Sequence, residues 1–137
     1  MIAPASPSIT LWLSVLLGAY LLAGGMAALL RGELWAELIA DFERSPALVM
    51  ISGAIAFAVG SLIVSVHNEW TSPAAAIVSA TGWIALAEGL TLIAAPQLWL
   101  SLARPMMRYA RPWGVAMLVV GAFLLSSAIA RPLVPSA

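Results

Sequence analysis

The sequence predicts an all-α integral membrane protein, four transmembrane helices packed as one antiparallel bundle, and three observations predict it. The first is composition. Of 137 residues, 63% are hydrophobic and 9% charged, with a mean hydropathy of +1.03; a water-soluble domain carries about 25% charged residues. The second is length. Ser8 to Leu30, Ala47 to Val66, Ala74 to Ala95 and Trp113 to Ala130 each come within a couple of residues of the roughly 20 that a membrane helix needs. The third is glycine spacing. Each stretch holds two glycines seven residues apart: Gly18 and Gly25, Gly53 and Gly60, Gly82 and Gly89, Gly114 and Gly121. Glycines at that spacing lie on one helix face and let backbones approach closely, which is how helices associate in lipid.

Composition also excludes chemistry. Zero net charge argues against nucleic-acid binding, which needs a basic footprint. Without Cys there is no disulfide, thiolate or iron–sulfur ligation, and without Lys no Schiff base. A single His cannot supply a multi-histidine metal site. No cofactor is expected, and four spans leave one membrane domain over 1–137 with no room for a soluble catalytic module.

In chain order, the first span is too long for the apolar region of a cleavable signal peptide, and no Lys or Arg precedes it. In Glu33 to Arg44, the residues Leu34, Trp35, Leu38, Ile39 and Phe42 form one apolar face. Glu33, Glu37 and Asp41 stack opposite it, as in an amphipathic helix lying in the membrane interface. Arg44 favours the C-terminal end of that helix electrostatically, and Pro46 marks the start of the second span. The loop His67-Asn68-Glu69-Trp70-Thr71-Ser72-Pro73 reads as a helix end in which His67 and Asn68 cap carbonyls. Trp70 suits an aromatic belt. His67 and Glu69 together fall short of a metal site.

Glu88 is the one charged residue well inside a span, about 12 Å from Pro96 at 1.5 Å per residue. A carboxylate there costs several kcal/mol unless paired or protonated. Thr81, Ala85, Glu88, Thr91 and Ala95 share one face, a small and polar stripe expected to look into the bundle. Either Glu88 relays protons or binds a cation, or it pairs with Arg31, Arg104 or hydroxyls and locks the bundle; the second reading is preferred. Gln97 to Arg111 begins with the same Leu-Trp pair as the amphipathic segment and is expected to break at Pro105. Its Arg104, Arg108 and Arg111, with Trp99, Tyr109 and Trp113 nearby, form a cationic patch suited to anionic lipid headgroups.

Two relations link these elements. Residues 17–35 align without gaps on 81–99, with Gly18/Gly82, Leu22/Leu86, Ala23/Ala87, Gly25/Gly89, Leu34/Leu98 and Trp35/Trp99 identical; after a three-residue deletion, Gly53 and Gly60 fall on Gly114 and Gly121. This predicts a tandem repeat of a helical hairpin, about 8–66 and 74–130 around the loop 67–73, the copies parallel and related by a pseudo-two-fold along the membrane normal. Gly24 stands where the second copy has Glu88. The arginines set orientation: Arg31, Arg44, Arg104, Arg108 and Arg111 follow the first and third spans, against Arg131 alone on the other side. Under the positive-inside rule both termini face out. The glycine seams predict left-handed packing near +20°. Gly25 and Gly53 should then share one depth, Gly18 and Gly60 another, with Ala28 on a flank.

His67-Asn68-x-Trp70, followed by Gly82-Trp83, a charged residue before Gly89, and Pro96, resembles small four-helix bacterial inner-membrane proteins of uncharacterised function. The resemblance covers about a third of the chain and implies a bacterial inner-membrane location without supplying an activity. The charged residue departs from that pattern, which carries Lys where this chain has Glu88. The preferred function is a non-enzymatic structural or accessory subunit of a membrane complex, its partners lipid and other membrane subunits or further copies of itself. The alternative is a small proton- or cation-coupled transporter using Glu88. A lipid-modifying or glutathione-using enzyme would need a nucleophile, base or metal cluster that the sequence does not assemble.

Overall fold

The computed structural model describes residues 6–130; Arg131, which the orientation argument counts, and both chain ends lie outside the described residues. Six α-helices follow in order: α1 Pro7–Leu30, α2 Leu34–Arg44, α3 Pro46–Val66, α4 Pro73–Ala94, α5 Pro96–Met106 and α6 Ala110–Ile129. A 3₁₀ turn, Met107–Tyr109, leads into α6. Four stretches, in α1, α3, α4 and the run from α5 through α6, are long and apolar enough to cross a bilayer. The chain is a multi-pass, all-α membrane protein. Large apolar side chains such as Leu16, Tyr20, Ile55, Leu62, Ile84 and Val119 are exposed on the bundle's outside, the arrangement that lipid solvates.

Helix starts are written locally. Proline opens α3, α4 and α5, where its missing N–H would have had no helical partner. At α3 and α4 the preceding serine completes the cap: Ser45 Oγ accepts from Leu48 N at 3.2 Å and Ser72 Oγ from Ala75 N at 3.2 Å. A single residue, Ser45, joins α2 to α3, and Ala95 alone joins α4 to α5, so each short helix turns directly into or out of a span. As expected, α2 is amphipathic, with Ile39 buried and Glu37 and Asp41 exposed. Pro105 does not break α5. It sits in the last turn, where the ring forfeits only the bond back to the Ser101 carbonyl, and the backbone tightens to the 3₁₀ turn afterwards. Thus α6 begins at Ala110, three residues earlier than Trp113.

All eight paired glycines are buried, and they choose partners across the chain. The closest packing joins α1 to α6 and α3 to α4, not the consecutive spans α1 and α3. A Cβ added at Gly18 would lie 3.0 Å from the Gly121 carbonyl oxygen, and one at Gly25 2.7 Å from that of Gly114. In the other seam, a Cβ at Gly89 would lie 2.7 Å from the Gly53 carbonyl oxygen. It would also strike the Phe57 amide, as one at Gly60 would strike that of Leu86. Ala28 is no flank residue: it is 1% exposed, and its methyl would lie 2.9 Å from a Cβ at Gly114.

Two apolar clusters complete the packing. Ala74, Val78 and Leu124 fill the span interior against Leu13, Leu17 and Ile63. At the end of the bundle carrying α2 and α5, Ile39, Leu100 and Ala103 pack with Phe42, Trp99 and Met107. These clusters fix two ends: one built from α2 and α5, the other from the loop that begins at His67.

Candidate functional site

The polar side chains converge at three places. At the loop end, His67 is the residue after α3; its backbone N–H closes the helix on the Ile63 carbonyl at 2.7 Å. The cap is therefore made by its backbone, and the ring turns inward instead of meeting carbonyls. His67 is 1% exposed. Its Nε2 lies 2.9 Å from Thr10 Oγ1 on α1 and its Nδ1 3.1 Å from Ser79 Oγ on α4. Ser79 donates to the Glu69 carbonyl at 2.8 Å and accepts from the Glu69 amide at 2.9 Å. With the Ser79 hydrogen committed, Nδ1–H is the donor to Ser79 Oγ, and Nε2 accepts from the Thr10 hydroxyl. That is the neutral imidazole. Burial pushes its pKa below the ordinary 6.5, against the opposing pull of the Glu69 carboxylate and a backbone hydrogen bond.

Next to it, Asn68 Oδ1 accepts from the indoles of Trp70 at 3.1 Å and Trp83 at 3.3 Å. The residues that carry the sequence resemblance, His67, Asn68, Trp70 and Trp83, thus form one knot tying the loop to α1 and α4. A hydroxyl, an imidazole and a second hydroxyl in line could serve nucleophilic catalysis. Here Thr10 is 4% and Ser79 0% exposed, and neither of the two clefts described below reaches them. The relay therefore holds elements together.

The second place is Glu88, half-buried on α4. Its Oε1 accepts from the Trp99 indole of α5 at 3.2 Å. Trp99 in turn packs on Phe42 of α2, ring centroids 5.5 Å apart. The acid thereby ties α5 to α4, with Phe42 of α2 packed on the same indole. The expected partners are engaged elsewhere. Thr81 donates to the Ile77 carbonyl at 2.8 Å and Thr91 to that of Ala87 at 2.7 Å, each back-bonding one turn along its own helix. Arg104 pairs with Glu43, Nε to Oε1 at 2.8 Å. Trp35, the counterpart of Trp99 in the repeat alignment, has a buried indole N–H with no partner among the described residues, and Gly24 stands where the second copy has the acceptor Glu88.

The third place is the α2–α5 end, where two clefts open. One, about 750 Å³, takes in Arg31, Arg108 and Arg111 beside Glu33 and Glu37. The other, about 410 Å³, lies between Phe42, Pro46, Pro96 and Arg104. Of the cationic patch expected from sequence, Arg108 and Arg111 share the larger cleft with Arg31, whereas Arg104 turns to Glu43. Among the described residues, no group of three His, Asp or Glu side chains is placed to hold a metal ion.

Sequence reasoning found His67, Glu88 and the arginines because each is unusual where it stands. It missed Thr10, Ser79 and Glu43, which are ordinary residues on their own helices and gain a role only through contacts 57, 12 and 61 residues away in sequence. Compared with family models, curated proteins and solved structures, the chain matches none.

Proposed function

We propose that this chain is a non-enzymatic structural or accessory subunit of a larger membrane assembly. The observation that carries the reading is the way Glu88 is used. The lone intramembrane acid sits on the α4–α5 joint and accepts from Trp99, and among the described residues no acid or imidazole is hydrogen-bonded to it to form a relay. His67 supports the same reading, since both ring nitrogens are spent on joining helices. The setting is a bacterial inner membrane, with the α2–α5 end cytoplasmic and both termini outside, as the arginine distribution favours.

The glycine contacts support the tandem repeat. Shifting Gly25–Gly114 by the alignment offsets gives Gly89–Gly53, a close approach of the α3–α4 seam; shifting Gly18–Gly121 gives Gly82–Gly60, where Gly60 instead meets Leu86 and Gly82 meets Ile63. A parallel pseudo-two-fold makes the seams equivalent while each joins helices from different copies.

The test is purification of the tagged full-length chain in mild detergent, followed by mass spectrometry. Partner proteins at fixed stoichiometry are expected. A chain that purifies alone and carries solute across liposome membranes would overturn the proposal. One observation favours that transporter alternative: the second oxygen of Glu88 has no hydrogen bond within the described residues, leaving a site for a proton or cation. If Glu88 has that role, Glu88→Gln abolishes a pH-dependent flux and leaves the fold intact.

A further inference from the structure

We infer that the larger cleft at the α2–α5 end is a binding site for the phosphodiester headgroup of an anionic membrane lipid. Its guanidinium groups come from three separate segments: Arg31 from the connection after α1, Arg108 from the 3₁₀ turn and Arg111 from the first turn of α6. Within the described residues none of the three makes an ion pair, whereas Arg104 at the same end is held by Glu43. The three are therefore gathered without being neutralised, although Glu33 and Glu37 stand in the same cleft. Three cations against two carboxylates leave one net positive charge, the complement of a phosphodiester's single negative charge. Guanidinium matches phosphate oxygens by paired N–H donors.

Position agrees with charge. The cleft opens where α1 ends and α6 begins, the depth at which lipid headgroups lie. Leu29 and Leu30 line it and continue onto the lipid-facing side of α1, both exposed, as a path for acyl chains. Its volume of about 750 Å³ admits a headgroup with its glycerol. The charge is also one-sided. In the repeat register Arg31, Arg108 and Arg111 correspond to Ala95, Ala47 and Met50, so the corresponding cleft lacks these cations and is smaller, about 410 Å³. The smaller cleft's own arginine, Arg104, is spent on Glu43, so the unpaired positive charge gathers in the larger cleft.

The experiment titrates phosphatidylglycerol into the full-length protein in mild detergent and counts bound lipids by native mass spectrometry, with phosphatidylcholine of the same acyl chains as reference. One saturable phosphatidylglycerol is expected. The double variant Arg108→Gln/Arg111→Gln should weaken it roughly tenfold or more, while Arg104→Gln leaves it unchanged. Millimolar inorganic phosphate should not displace it. Equal weakening in both variants would show general surface attraction, and no weakening in either would show that these arginines do not hold the lipid; each result overturns the inference. Displacement by inorganic phosphate would assign the cleft to a soluble anion and overturn the lipid. Helix content by circular dichroism accompanies each variant; should the double variant misfold, Arg111→Gln alone carries the same comparison.

Discussion

Trp35 and Trp99 offer the same donor at places that align in sequence, and among the described residues only Trp99 meets an acceptor. This makes a controlled pair. Trp99→Phe removes a hydrogen bond to a carboxylate, worth about 1.5–3 kcal/mol, together with some ring volume. Trp35→Phe removes similar volume and an orphaned buried donor. Thermal unfolding in detergent should therefore show a clear loss for Trp99→Phe and little change or a gain for Trp35→Phe. Glu88→Gln keeps an acceptor for Trp99 and should be tolerated. Glu88→Leu strands the indole and should be rescued by adding Trp99→Phe, an outcome a double-mutant cycle reads directly. His67 gives the pH prediction. Burial disfavours its charged form, so as pH falls below 6.5 the unfolded chain takes up the proton first. Stability held above 6.5 is then lost until the folded-state pKa is passed. Melting temperature should fall as pH is lowered from about 7.5 through about 6.5, and His67→Gln should flatten that fall.

Between helices, the outcome of a glycine substitution depends on what its new methyl meets. At Gly60 and Gly89 it would strike backbone amides of the facing helix, which cannot move without parting α3 from α4. At Gly24 it would come 2.6 Å from the terminal methyl of Met117, the free end of a flexible chain. Gly60→Ala and Gly89→Ala should each lower the melting temperature well below that of Gly24→Ala. Ala54→Leu, on an exposed face, should change it little; equal effects at all four positions would remove the seam. The elements themselves were legible in sequence because apolar length, proline and amphipathic alternation are local signals, and they placed α1 to α4 within a residue or two. Pro105 looks like a break in sequence, but a proline's cost depends on its distance from the helix end, and the 3₁₀ turn that absorbs it leaves no sequence mark. The choice of seam was also hidden. Seven-residue spacing tells which face of a helix is packed, but with the same spacing in all four spans it cannot tell which partner packs there.

The described residues form two glycine seams joined by two short helices, α2 and α5, with their polar features divided between opposite ends. The division was legible, since His67 and the arginines fall in alternate loops. The joining of the candidate sites was not, because Thr10–His67 and Arg104–Glu43 each bridge distant parts of the chain. Five arginines, Arg31, Arg44, Arg104, Arg108 and Arg111, belong to the α2–α5 end, and all five are exposed. Moving such an end across a bilayer would carry their charges through the apolar core, which is the physical content of the positive-inside rule. The chain lacks cysteine, so single cysteines can report its orientation without background. Thr71 suits the loop end, being exposed, whereas the neighbouring Glu69 backbone is bound to Ser79; Arg108 suits the other end. In intact cells, an impermeant maleimide should label Thr71→Cys and leave Arg108→Cys untouched until the membrane is opened. The reverse pattern would place the arginines outside and refute the orientation. Labelling at both positions in the same intact cells would mean insertion in two directions, with the arginine bias offset by the four acids at the same end, Glu33, Glu37, Asp41 and Glu43. Changing Glu37 and Asp41 to Gln and Asn should then restore a single orientation.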